Sequence, residues 1–462
     1  MYIERLPALI LLGLLVITPG ACRAAYGAET EWRVGLAHAG ITPEKPIAMS
    51  GYGRRVSSGV LDELEAKAMV IENVAGGRAV LLTADLLFFR APFADVLCKQ
   101  ITERTGLQRS QILLNASHTH SGPVFGVKDP DRFQLTENQR KVIDAYTDTL
   151  KRRLVGLVTA AMADMKPARL SWGVGKAHFV INRRLISPEG KCRGMGLNPQ
   201  GLVDRNVPVL RVDGPDGRLR AVVFGCACHP VTLGGGNLKI SGDYPSFTQK
   251  YIQKHFPETQ AMFVIGCGAD ANSHPRGGAG QEQLVRKHGK SLGAEVCRVL
   301  ATKLQPIHGP LRVELNWTDL PLQHNLSRQR LQEIAKGPYW HARNARGMLA
   351  MLDRNEPLPT HYRAAVALWQ FGDDLTLVGL PGEAVAEYVP MIEKALGPER
   401  LWVAAYCNES FGYLPSAKVV AEGGHEAIGL TLAIGFFSAD AQDVVVATVR
   451  QLAQKVGRRL PR

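Results

Sequence analysis

Apolar and polar positions follow two periods along this chain. "AKAMVIENV" (66–74) and "RAVLLTADLLFF" (78–89) are short, mostly apolar runs on either side of Gly76-Gly77, which predicts paired strands. "APFADVLCKQITERTG" (91–106) has helical spacing and ends on a glycine, and "QILLNASHTH" (111–120) returns to strand. "ENQRKVIDAYTDTLKRRLVGLVTAAMADMKP" (137–167) predicts a long amphipathic helix that stops before Pro167. A β-hairpin follows in "VPVLRVDGPDGRLRAVVFGCACHP" (207–230), turning at "GPDG". The alternation continues with a helix at 246–256, a strand at 261–270 and a helix at 282–304. Strands are then expected at 311–322, 362–372 and 375–383, and a helix opening at "EAVAEYVPMIEKALG" (383–397).

Mixed strands and helices in this order imply an α/β fold, a layered domain built on a mixed sheet. No Pro/Gly/Ser linker or change of composition divides the chain, so one domain is expected over residues 30–460. Residues 320–360 are expected to be helical, as a lid or an insertion.

The N-terminus adds a targeting signal. The apolar run "LPALILLGLLVI" (6–17), followed by small residues, has the length of a signal-peptide core and is too short to span a bilayer. Residues 1–25 are therefore read as a signal peptide, and the mature protein as exported, periplasmic or secreted, without a transmembrane segment. The formal charge of +13 favours anionic partners, including peripheral contact with an anionic membrane surface, or else reflects a generally solvated basic face. No Lys/Arg run resembles a nucleic-acid arm, so no nucleic-acid partner is expected. Of eight cysteines, seven remain after Cys22 is removed with the signal, and no CxxC pair indicates a zinc ribbon or a disulfide scaffold.

Four polar clusters sit where apolar strands run out: "SHTHSGP" (117–123), "CACHPVTLGG" (226–235), "GCGADANSH" (266–274) and "GLPGE" (379–383). Loops at strand ends are where layered sheets gather active sites. His118 and His120 lie two apart and would share a face of an extended strand, as metal ligands or as loop histidines held by backbone groups. His229 repeats the arrangement, as a ligand or a structural hydrogen-bonder. Glu383 is either a carboxylate partner or an acidic residue favouring the start of a helix. HExxH, GxSxG, P-loop and Rossmann fingerprints are all absent from the sequence.

Taken together, "VGLAHAGITP", "AKAMVIE", "SHTHSGP", "INRR", "CACHPVTL", "SGDYPSF", "GLPGE" and "GYLPSAKVVAEGGHE" occur in an order that resembles the catalytic domain of the neutral/alkaline non-lysosomal ceramidases. These are zinc amidases that cleave the N-acyl bond of ceramide. The resemblance implies one zinc ion held by His118, His229, Glu383 and Tyr413. It implies His120 beside the metal as a catalytic partner, Arg183 at the substrate carbonyl, and His425 in substrate binding. Two imidazoles, a carboxylate and a phenol oxygen suit zinc and leave a position for water. The expected activity is hydrolysis of a C–N amide bond in an N-acyl lipid or related small molecule. The alternatives are an esterase or other amidase on the same site, or a non-catalytic exported protein binding lipids or glycans. The chain departs from the family pattern at "GADANSHP" and at His425, where ceramidases carry a tyrosine, and it stops where a C-terminal β-sandwich domain would follow.

Overall fold

Strands buried on both faces build the interior. Along Glu65–Asn73, Ala66, Ala68 and Val70 pack to one side while Met69 and Ile71 pack to the other. Gln260–Ile265 does the same, with Ala261 and Phe263 opposite Met262 and Val264. Such strands read as continuous apolar runs and must be covered on both sides. The structure, a computed structural model, describes residues 31–127 and 135–461, so the expected signal segment 1–25 lies outside the described residues.

The largest sheet runs in the order Gln260–Ile265, Leu219–Cys226, Asn206–Asp213, Lys166–Lys176, Trp32–Gly40, Glu65–Asn73, Arg78–Ala84, Ile112–Ala116, with Gln305–Ile307 added beside Lys166–Lys176. Its two halves are joined where Trp32–Val34 pairs with Lys166–Ala168. A second sheet orders Leu311–Pro321, His361–Phe371, Leu375–Gly379 and Leu401–Ala404. One apolar cluster, including Trp32, Met69, Leu113, Met262, Trp369 and Trp402, joins both halves of the first sheet to the second.

Helices cover the outer faces. Ala91–Thr105 and Glu137–Ala163 lie over one half of the large sheet, burying Leu97, Ile101, Leu150 and Leu154 against Val70, Val80 and Leu114. Asp243–His255 and Gln281–Leu300 cover the other half, and Tyr388–Leu396 with Ala441–Lys455 cover the second sheet. Local signals set several ends. Thr136 and Gln139 form a capping box at the start of the long helix, and Gly106 closes Ala91–Thr105 in the left-handed conformation.

One expected element is corrected. The helix after "GLPG" starts at Tyr388, and Glu383–Ala384 is instead a two-residue strand paired in parallel with Tyr413–Leu414. Glu383 therefore does not sit in a first helical turn. An unanticipated hairpin, Val180–Ile186 with Cys192–Asn198, pairs through its first strand with Ala271–Ser273. Residues 326–353 form the helices Arg328–Ile334 and Tyr339–Asp353, with a small core of Leu331, Ala345, Met348 and Phe436. The described cysteines are all free thiols.

Candidate metal centre

The strand ends deliver their polar residues to one place. His118 follows Ile112–Ala116 with its backbone at φ +65°, and its N–H donates to the Leu86 carbonyl at 2.9 Å. Its ring Nδ1 lies 2.8 Å from the Leu87 carbonyl oxygen. His229 follows Leu219–Cys226, and its Nδ1 lies 2.8 Å from the Gly268 carbonyl oxygen. A carbonyl only accepts, so both Nδ1 atoms carry the proton and both Nε2 atoms present a lone pair. Those Nε2 atoms stand 3.3 and 3.2 Å from the same oxygen, Oε2 of Glu383. Three acceptor atoms converge with no donor among them, and His229 Nε2 and Glu383 Oε2 are buried without a hydrogen-bond partner. Such a donor set fits a divalent cation: buried acceptors of this kind are otherwise costly to leave unpaired.

Electrostatics agree. Burial, then the charge of Arg183, pushes His229 down to about 3, which keeps its imidazole neutral. His120 Nε2 lies 3.1 Å from His118 Nε2, and burial followed by His118 and His229 holds His120 neutral as well. The potential metal-binding atoms of His118, His120 and His229 all lie within 4.8 Å of one another.

The other expected residues gather around this point. Glu383 and Tyr413 are register partners in the short parallel ladder, so they leave adjacent strands side by side. Arg183 Nη2 donates to the Tyr413 hydroxyl at 3.2 Å, Nη1 to Asn272 Oδ1 at 3.3 Å and Nε to Glu426 Oε1 at 2.8 Å. His425 packs its ring 5.1 Å from that of Tyr413; burial, then Arg183, pushes it down to about 4.

The model of the neutral/alkaline non-lysosomal ceramidase N-terminal region matches residues 32–320 of this chain. The chain belongs to that family. Neutral ceramidase A of Dictyostelium discoideum is 24% identical over 237 residues, covering 49% of this chain and 32% of that protein. Neutral ceramidase B of the same organism is 24% identical over 217 residues, 45% of this chain and 29% of its own length. The match thus spans about a third of each relative. The crystal structure of neutral ceramidase from Pseudomonas aeruginosa aligns with a TM-score of 0.72 at 18% identity, covering 94% of this chain and 75% of that one. A ceramidase complexed with C2 gives a TM-score of 0.73 at 18% identity, covering 94% and 76%. These likenesses show the ceramidase fold.

The family match contains His118, His120, Arg183 and His229, while Glu383, Tyr413 and His425 come from sequence beyond it. In this ceramidase-family chain the centre lies at the foot of a cavity of about 610 Å³. One wall is apolar, from Leu87, Phe88, Phe93, Val124 and Phe125; Met195, Tyr339 and Trp340 also line it. Sequence reasoning missed two buried supports. Glu426, the last residue quoted in "GGHE", accepts from Arg183 at 2.8 Å and from Arg184 Nη1 at 2.6 Å. Tyr406, in "AAYCNES", packs its ring 4.5 Å from that of His118 at a backbone φ of +55°. Its place just past the strand Leu401–Ala404 is the same strand-end signal that marked the four polar clusters.

Proposed function

We propose that this protein is an exported, zinc-dependent hydrolase of the C–N amide bond of an N-acyl lipid of the ceramide type. The observation that carries this reading is the convergence of His118 Nε2, His229 Nε2 and Glu383 Oε2 at the foot of a largely apolar cavity. His118, His229, Glu383 and Tyr413 would hold one zinc ion, and an apolar cavity with a few convergent polar groups suits an acyl chain ending in an amide. When bound, zinc polarises the scissile carbonyl and lowers the pKa of an attacking water towards about 7.

The chain's own residues supply the rest. Arg183 is pinned by Glu426, Asn272 and Tyr413, and its remaining N–H donors serve the carbonyl oxygen as negative charge develops there. His120, neutral and beside the centre, carries a proton between the water and the departing nitrogen. Positioned in the same cavity, His425 contacts the substrate's polar end. The apolar wall binds the acyl chain and excludes water from the reacting amide. The basic chain contacts an anionic membrane surface from which such a lipid is drawn.

Purified protein should retain about one zinc per chain and cleave members of an N-acyl lipid panel that simple esters and peptide amides do not replace. Failure to bind any transition metal after zinc reconstitution would overturn the enzyme reading in favour of a lipid- or glycan-binding role. Cleavage of esters alone would overturn the amidase assignment.

A further inference from the structure

Among the described residues, five of the large hydrophobic side chains that remain exposed lie on one feature. Leu185, Ile186, Met195, Leu197 and Leu202 are each between 39% and 53% exposed, and all belong to the hairpin of Val180–Ile186 and Cys192–Asn198 or to the turn after it. The base of this hairpin is rigid. Arg183 and Arg184 bind Glu426, Arg184 also binds Glu422 at 2.9 Å, and Asn182 Nδ2 donates to Asp270 Oδ2 at 3.1 Å. Its far half has no such partners for its apolar side chains. Met195 is both exposed and part of the cavity wall, so the hairpin reaches the cavity through this side chain.

Tyr339, 63% exposed, and Trp340 line the same cavity, with ring centroids 5.1 Å apart. Tyr and Trp favour the boundary between apolar and aqueous phases. Exposed basic side chains lie on the hairpin, on the cavity lining and just before the helix Tyr339–Asp353. Lys191, Arg193, Arg54, Arg276 and Lys336 are exposed, and Arg54 and Arg276 line the cavity; Glu189 offsets Arg193 at 3.0 Å. A group of exposed apolar side chains on one hairpin that reaches an apolar cavity, on a protein of formal charge +13, is unusual on a freely soluble surface.

We infer that these side chains, with the 185–202 hairpin as their principal anchor, form an interfacial docking surface for an anionic phospholipid bilayer. Leu185, Ile186 and Leu197 enter the headgroup–acyl boundary, Tyr339 and Trp340 settle at its level, and the cations engage anionic headgroups. Seated this way, the cavity mouth faces the membrane, and a lipid passes along Met195 without crossing water. The inference rests on the lipid reading of the cavity and adds the surface that delivers the lipid.

The test is co-sedimentation of the full protein with vesicles of phosphatidylcholine alone and with phosphatidylglycerol added, at two salt concentrations. The wild type should bind the anionic vesicles, more weakly at high salt. The double variant Ile186→Glu/Leu197→Glu should lose at least about tenfold in partitioning, and Lys191→Gln roughly fivefold at low salt. Zinc content, thermal midpoint and hydrolysis of a water-soluble short-chain N-acyl amide should match wild type in both variants. Equal vesicle binding by the double variant and the wild type overturns the inference, as does no binding by the wild type. Dimers in light scattering that the double variant dissociates would assign the patch to a second copy of the chain and also overturn it. Absence of zinc and of amide cleavage in the wild type would instead defeat the functional proposal, and the vesicle result would still decide the surface.

Discussion

A non-glycine residue held at φ +65°, as His118 is, costs about 1–3 kcal/mol and persists only where its surroundings over-determine it. Here the Leu86 and Leu87 carbonyls and the ring of Tyr406 fix it, and the return is an imidazole whose Nε2 faces Glu383. His118→Ala should therefore empty the metal site, measured by metal analysis. His120→Ala should keep the metal and lower turnover by about 10²–10⁴; equal loss of metal in both variants would refute the division of roles. The Tyr406 hydroxyl is buried without a hydrogen-bond partner. Tyr406→Phe keeps the ring on His118 and should raise stability by about 1 kcal/mol, read from chemical denaturation. Glu426 carries an acid-linked share of stability. Burial works against its ionisation, yet Arg183 and Arg184 push it down to about 2 from an ordinary 4.5. A carboxyl depressed in the folded state stabilises above its unfolded pKa and loses that contribution as pH falls through the folded one. The loss should fall between about pH 4.5 and 2, amount to about 3 kcal/mol, and be absent in Glu426→Gln.

At the level of elements, a buried side chain ties the helix Tyr339–Asp353 to the segment that follows Glu426. Asn344 Nδ2 shares its two N–H donors among the carbonyls of Ile428, Leu430 and Gly435, while its Oδ1 accepts from the Ala433 N–H at 2.9 Å. The segment it grips leads back to His425 and Glu426, so this contact couples the cavity mouth to its floor. Asn344→Ala should cost about 2–4 kcal/mol by stranding buried carbonyls, and hydrogen exchange should rise in 326–353 and 428–435 before the sheets respond. The same scale explains what was legible. Helices with a clear apolar stripe and a stop signal, such as 91–105 and 137–163, were readable, as were strands buried on both faces. "CRGMGLN" was not, because glycine and arginine interrupt its pattern and its partner strand, rather than its own propensity, makes it a strand. Glu383 was found as a residue and misplaced as an element: two residues of ladder are too short to leave a period, and "EAVAEY" favours helix locally. Glu426 and Tyr406 have no motif of their own, since their roles exist only through partners distant in sequence.

For the molecule as a whole, two sheets share one interior, and Trp369 is a large side chain at their junction, 1% exposed. Trp369→Ala should cost about 3–5 kcal/mol and lower the unfolding midpoint of the whole chain rather than of one segment, which calorimetry would show. The residues around the centre come from strand ends in both sheets and from the hairpin, so metal retention, on the proposed reading, would report on the docking of all three. Their spacing along the chain has a further consequence, for synthesis. A ribosome that has delivered residue 320 has supplied His118, His229 and Arg183, yet neither the carboxylate nor the phenol that completes the set. On the proposed metal reading, the set could not close around a cation until the segment through Glu426 has been made, so retention of the metal would report a finished fold.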